Sequence, residues 1–517
     1  MIIFFARRFL TSALVVLTST LIMYAMVAAS IDPLEELRGG NMANKEALME
    51  RLSQQLRLDD PVIVRYIDWL KGALGCTYGQ CDLGEDWKTH ETVTHALSGA
   101  IVTTLQLVFA ATILAIIGGA AVGIISALRQ YSGFDYSITF MSFLMYSLPV
   151  FWVAVLAKAF LAIDFNDWLR DPGFGPMTIG LVAAGSGIAL GAALGGDWMR
   201  RARVFGATAV LVAGLMLYLN VTDFFIRPSQ GRAVDLLVIT VLGIGLAFLV
   251  TLLSTGLRNR KALYSALTSV GIGAALYFPM LEFWNSVDAS WLIVILLALV
   301  ALGVGIAVGY GWGGPDWGRS SRTAAFTAFL MAGLLFVDRL GQSWNAYVHN
   351  PRVKGRPLAT IGSGTPNLEG SFWIQTIDLM THIALPSVTL VLISFAGYTR
   401  YSRASTLEVL NQDYIRTARS KGLTERTVIM RHAFRNAMLP LASVVPVDLI
   451  TVIGGALLTE TVFGWHGMGK MFVDAMSGNL QDPVMGYILV VGIFAVIANF
   501  VADLVYAVLD PRIRVNA

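Results

Sequence analysis

Seven residues near the C-terminal end imitate a phosphate-binding loop. Gly464-Trp-His-Gly-Met-Gly469-Lys470 sets glycines and a lysine at the spacing that cradles nucleotide phosphates, yet Met471 stands where a serine or threonine would hold magnesium. No buried strand precedes the run and its expected location is outside the cytoplasm, so ATP binding there is not expected. No Ser-His-Asp order and no His-Glu-x-x-His motif is evident either, which argues against peptide cleavage. The two cysteines, Cys76 and Cys81, bracket a tight turn. In an oxidising compartment a disulfide closing this small loop is the favoured reading, with two free thiols as the alternative. A metal site is disfavoured because no His or Cys pair with ligand spacing accompanies them. No cofactor is expected. Asp448 lies near the middle of an apolar run at 438–462, where an acid costs about 2.5–3.5 kcal/mol on insertion scales. It is the candidate to line a path, holding a substrate ammonium or a partner, against the simpler role of packing between helices. Lys158 is near the end of its run and can snorkel.

The elements that must position these residues follow from composition. Of 517 residues, 56% are apolar and only 14% charged, against about 25% in a soluble domain. So few charges could not coat three or four separate globules. The chain is expected to be all-α and polytopic in a membrane. A net charge of +3 does not suggest a nucleic-acid partner, and two cysteines exclude a four-cysteine zinc site. At roughly 20 apolar residues per crossing, twelve spans are expected, at about 9–29, 101–128, 137–163, 176–195, 204–225, 233–256, 262–281, 290–311, 323–337, 379–398, 438–462 and 484–509. The weakest are 176–195 and 323–337. Pro149 and Pro386 are expected to kink their spans. Arg7-Arg8 followed by an apolar run invites a signal-peptide reading, but Phe9 to Ala29 is long enough for a retained anchor.

With a cytoplasmic N-terminus, 21 Lys and Arg residues fall on the cytoplasmic side and 15 on the other, seven of these in the long 30–99 loop. Both termini are then cytoplasmic. The longest cytoplasmic loop, 399–437, carries apolar residues at helical spacing (Leu407, Leu410, Tyr414, Ala418) among basic ones. Gly422 reads as a C-terminal cap and Thr424 as an N-terminal cap with Glu425 in the following first turn. Two short amphipathic helices joined at a glycine could be a topological basic loop, a lipid-binding surface, or a dock for a partner protein.

This loop resembles a known family. Asp413-Tyr-Ile-Arg-Thr-Ala-Arg-Ser-Lys-Gly422-Leu-Thr-Glu-Arg, then Arg431-His-Ala-Phe-Arg-Asn-Ala-Met-Leu-Pro440, is similar to the "EAA" loop of ABC-importer permeases, most of all the B-type subunit of the dipeptide/oligopeptide family. Thr461-Val-Phe-Gly-Trp-His-Gly-Met-Gly469 resembles the segment after the fifth core span. Asn499 through Asp503 to Asp510-Pro-Arg512 resembles the C-terminal signature, and Arg7-Arg8-Phe9, Cys81-Asp-Leu-Gly84 and Thr103-Thr-Leu-Gln106 fit the N-terminal part. One departure is Arg416-Thr417-Ala418 where the loop's name has Glu-Ala-Ala.

The resemblance implies a six-span type I ABC importer permease core split into 1–163 and 371–517. Residues 164–370 would be an inserted membrane segment of about six spans, whose function the sequence leaves open between scaffold or contact surface and regulatory module. It further implies a non-enzymatic bacterial inner-membrane subunit importing peptides delivered by a periplasmic binding protein. Its partners would be two cytoplasmic ATPase subunits, which hydrolyse the ATP, and a second, C-type permease. Asp413, Arg416, Ala418, Lys421 and Gly422 would carry the ATPase coupling. The alternatives are a permease for another solute, such as a nickel chelate, and a secondary transporter, which predicts self-similar halves that the sequence does not show.

Overall fold

The structure, a computed structural model, describes residues 2–39, 44–221, 223, 225 and 233–509; at some helical positions, 449–455 among them, only the backbone is described. Among the described residues there is no β-strand, only an isolated bridge between Glu85 and Thr92. In lipid a helix satisfies its own backbone, which is why so apolar a chain folds this way.

The helices used below are α1 (Ile2–Ser30), α2 (Val62–Gly75), α3 (Val93–Leu128), α4 (Gly133–Ser147), α5 (Val150–Trp168), α6 (Pro176–Leu194), α7 (Trp198–Val221), α8 (Ala233–Ser254), α9 (Arg260–Ala275), α10 (Tyr277–Ser286), α11 (Trp291–Gly313), α12 (Trp317–Val348), α13 (Phe372–Leu410), α14 (Asp413–Ser420), α15 (Leu439–Phe463), α16 (Met468–Ser477) and α17 (Gln481–Leu509). Several starts are written in the sequence. The side chains of Ser132, Asn259 and Ser290 accept hydrogen bonds from the Asp135, Ala262 and Ile293 amides and so cap α4, α9 and α11.

Eight helices among the described residues are long and apolar enough to cross a membrane, ten if the bent pairs α4–α5 and α9–α10 each count once. Of the twelve expected spans, 176–195 is shorter than a full crossing, its apolar helix covering Pro176–Ala192. The span at 438–462 is α15, part of which is described by its backbone alone. At Pro149 the chain bends by 102°, whereas α13 runs unbroken through a buried Pro386. The α4–α5 pair nevertheless travels the length of its neighbour. Asp135 on α4 meets Arg403 of α13, and Ala154, Ala157 and Ala162 on α5 pack with Leu385, about 27 Å back along α13 at 1.5 Å per residue.

Contacts sort to two opposite ends of the molecule. One end holds the 399–437 loop, the Asp135–Arg403 pair and the approach of Lys261 to Gly314. The other holds Cys76 and Cys81, bonded as a disulfide, together with the Asn479–Glu35, Asn166–Leu358 and Gly362–Phe463 contacts. These are called the loop end and the disulfide end below.

Within the core, α13 lies along α3, and α15 and α17 pack against each other and against α3. At the disulfide end the 30–99 segment packs Tyr66 and Trp69 of α2 on Tyr24 of α1 and reaches Val484 and Met485 of α17. Residues 164–370 form two units: the α6–α7 hairpin beside α4, and a bundle of α8 to α12 that meets the start of α13. That junction is both apolar and polar. Trp284 and Phe336 pack on Trp373, while the buried Tyr347 hydroxyl donates to Asp378 (3.1 Å), which also accepts from the Thr365 amide (2.9 Å) and hydroxyl (2.5 Å).

Inside the bundle α11 and α12 approach closely because small residues face each other. A Cβ on Gly305 or Gly309 would strike the backbone of Ala325 or Ser321, so only glycine fits there. Gly309→Val is therefore expected to force the two helices apart, at about 1–3 kcal/mol or more of overpacking strain. Gly303→Val, whose Cβ meets nothing, is the control. Thermal unfolding in detergent should fall for the first variant alone; equal melting of both would refute this packing.

Candidate functional site

The loop that follows α13 is compact. α13 ends at Leu410, and Gln412 opens α14. Ile415 and Ala418, three residues apart and thus on one face, are buried against Val428 and Ala433 of the helical stretch 425–437. The opposite face is open: the side chains of Asp413 and Arg416 are 97% and 70% exposed and lie 3.7 Å apart. Tyr414, Lys421 and Leu423 are exposed too. Gly422 turns the chain with φ +74°, a backbone region that side chains disfavour, and its amide donates to the Arg419 carbonyl (2.9 Å). Thr424 then caps the next helix, accepting from the Thr427 amide. Arg419 donates to both oxygens of Glu425 (3.2 and 2.6 Å), and this pairing holds the Glu425 carboxyl below its ordinary value. Ser405 donates to the Ala437 carbonyl (2.7 Å) and Asn436 to the Tyr414 hydroxyl (2.9 Å), so the loop closes on its own base.

The five loop residues named from sequence thus come together, but unequally. Asp413, Arg416 and Lys421 present charge outward, Gly422 makes the turn, and Ala418 faces inward as a spacer small enough for α14 to rest on 425–437. Asp448 is elsewhere, on α15. It faces the buried Tyr398 of α13 closely enough for the two to interact electrostatically, although the hydroxyl lacks a hydrogen bond of full geometry. Cys76 and Cys81 are at the far end.

At the disulfide end the glycine-rich run after α15 has a purpose of its own. Glu460, in the last turn of α15, is fully buried. Its carboxylate accepts from the amides of Gly469 (2.7 Å) and Lys470 (3.0 Å), in the first turn of α16, and from the Thr104 hydroxyl of α3 (2.6 Å). Thr104 in turn accepts from the Met468 amide (2.8 Å). A Cβ on Gly467 would collide with Glu460, and one on Gly469 would sit 2.9 Å from its other oxygen. Trp465, fully buried, donates through its indole to the Thr103 carbonyl (3.1 Å). The resemblance to a phosphate loop is thereby explained: the anion at this helix N-terminus is the chain's own carboxylate. Lys158 donates to the Val462 carbonyl (3.3 Å) at the same end.

Two family models match the chain. One, described as the binding-protein-dependent transport system membrane component, N-terminal, spans residues 1–108; the other, the binding-protein-dependent transport system inner membrane component, spans 261–515. The chain belongs to this family. The match beginning at 261 takes in α9 to α12 as well as the whole stretch from α13 through the loop to α17, and residues 109–260 fall in neither match.

The chain is also similar to curated permeases. It is 36% identical over 188 residues to the oligopeptide transport system permease protein OppB of Mycobacterium tuberculosis, covering 36% of this chain and 56% of that one. It is 38% identical over 191 residues to the dipeptide transport system permease protein DppB of Escherichia coli K12, covering 35% and 56%. A putative peptide permease protein of Brucella suis biovar 1 is 38% identical over 192 residues, covering 37% and 58%. The chain thus spans little more than half the length of these relatives.

Two sites in this chain escaped sequence reasoning. Glu460 is the second acid, after Asp448, in an otherwise apolar run and stands four residues ahead of the Gly464 cap, and that combination was a usable signal. The Asp135–Arg403 pair joins residues 268 apart, and nothing in their local sequence pairs them. Of the C-terminal signature, Asp510, Pro511, Arg512 and the side chain of Asp503 lie outside the described residues.

Proposed function

We propose that this chain is a transmembrane permease subunit of an ATP-driven importer of di- and oligopeptides. Its termini and the 399–437 loop would face the cytoplasm, and the disulfide end the periplasm. The observation that carries this reading is the loop itself: a rigidly based helix, α14, with an exposed charged face at the end of α13, in a chain whose family depends on binding proteins for transport. The choice of peptides rests on the similarity to an oligopeptide and a dipeptide transport system permease protein.

On this reading two cytoplasmic ATPase subunits bind the α14 face and supply all ATP hydrolysis. A second permease completes the path, and a periplasmic binding protein delivers the substrate. Asp448 lines the path between α13 and α15. Asp413, Arg416 and Lys421 make the contacts with the ATPase, Gly422 sets the angle of α14, and Ala418 keeps it seated. Residues 164–370 are a membrane addition to the core. The family match gives no support to a secondary transporter.

The test is affinity purification of the tagged chain followed by reconstitution. ATPase subunits and a second permease should co-purify, and vesicles with the binding protein should take up a labelled dipeptide only with ATP. A lone chain that transports without an ATPase, or uptake of nickel chelates in place of peptides, would overturn it.

A further inference from the structure

At the loop end the carboxylate of Asp135 is almost wholly buried, its side chain 3% exposed, and it is bound from three directions. Arg403 of α13 donates to both its oxygens, Nε at 2.7 Å and Nη2 at 2.9 Å. The Ser126 hydroxyl of α3 donates at 2.5 Å, and the Tyr131 amide, in the α3–α4 turn, at 3.0 Å. One side chain therefore joins α3, the turn, α4 and α13. Arg400, one helical turn back along α13, stacks over the rings of Phe143 (4.9 Å) and Tyr146 (4.4 Å) of α4. Ser402 donates to the Ala120 carbonyl of α3 (3.1 Å). Thus the final turns of α13 grip α3 and α4, and two residues beyond Arg403, Ser405 secures the far end of the loop at Ala437.

A bidentate guanidinium–carboxylate pair is directional: it transmits rotation and pull where apolar side chains would slide. α13 is also one continuous helix from Phe372 to Leu410, and only Asn411 and Gln412 separate it from α14, so force applied at α14 reaches Arg403 through the last two turns of α13. We propose that Asp135 and Arg403 are a coupling clamp: positioning residues that convert movement of the loop into concerted movement of α3, α4 and α13. The clamp rests on the permease reading above. It is distinct from the docking face of α14, since Asp135 is buried and Arg403 only partly exposed, and neither belongs to that face.

The test uses the assembled transporter in proteoliposomes, with three readouts: co-purified ATPase, ATP hydrolysed and labelled dipeptide imported. For Asp135→Asn and Arg403→Gln the ATPase should remain bound and hydrolysis should persist. Peptide imported per ATP should fall about tenfold, within the 5–150-fold range of typical coupling between sites. Arg403→Lys, which keeps the charge and loses the fork, should recover part of that loss. Ser126→Ala removes one bond from the carboxylate and leaves the ion pair; it should lower the ratio about threefold and serves if the charge variants fail to assemble. An unchanged ratio in assembled variants overturns the clamp, as does a loss of uptake that only tracks the amount of assembled complex. Absence of ATPase from the wild-type preparation overturns the permease reading itself, and the clamp with it.

Discussion

Replacing Glu460 by alanine is expected to free α16 from α3 and to destabilise the disulfide end more than any other single change considered. The substitution removes one acceptor and strands three donors: the amides of Gly469 and Lys470 and the hydroxyl of Thr104. An unsatisfied buried donor costs about 1–3 kcal/mol, so the loss is about 3–6 kcal/mol after partial hydration. Glu460→Gln should cost less, because its amide oxygen can still accept from the two helix amides while its NH₂ faces the Thr104 hydroxyl, which can accept. A cysteine placed at the fully buried Met468 gives a direct readout. It should resist a membrane-impermeant thiol reagent in the parent and label readily with Glu460→Ala, alongside a lower unfolding temperature. Slow labelling and unchanged melting would show that α16 is held by its apolar contacts with Ala100 and Tyr487 instead.

The second large effect is functional and spares the fold. If the chain is the permease subunit proposed above, Gly422→Asp should abolish peptide uptake and release the ATPase subunits while the chain inserts normally. The structure makes the two consequences separable. A Cβ at Gly422 meets no atom, so the fold loses only what a left-handed backbone costs, about 1–2 kcal/mol and less for Asp, which visits that region more readily than most residues. What changes is the charge and angle of the exposed face beside Lys421. Gly422→Ala should retain part of the activity, since it adds backbone strain without charge. Uptake, ATPase co-purification and a topology reporter on the 399–437 loop separate the cases, and normal uptake by Gly422→Asp would refute the docking role.

Much of the loop was legible because its determinants are local. Thr424 capping the following helix, Gly422 at positive φ and Ala418 on the apolar face all depend on residues within about ten positions of one another. Local spacing also located most helices. It also placed the bend at Pro149, but it does not separate a proline that interrupts its helix from one, such as Pro386, that a continuous helix carries. Whether a proline breaks its helix depends on what neighbouring helices supply: α13, buried along much of its length, stays continuous, and α4–α5 is interrupted and turns through 102°.

Composition and hydrophobic period alone determined that this chain is a helical, many-span membrane protein with one structured basic loop, since burying so much apolar surface in lipid leaves few other solutions. The loop's motif identified the family. Only the tertiary structure decided what the buried charges do. A carboxylate in an apolar run reads the same whether it lines a path, seats a helix or grips an arginine. Its role is set by the donors that folding brings to it: two helix amides and a threonine from 356 residues away for Glu460, and a guanidinium from 268 residues away for Asp135. Those partners follow from helix packing, and no local pattern encodes them.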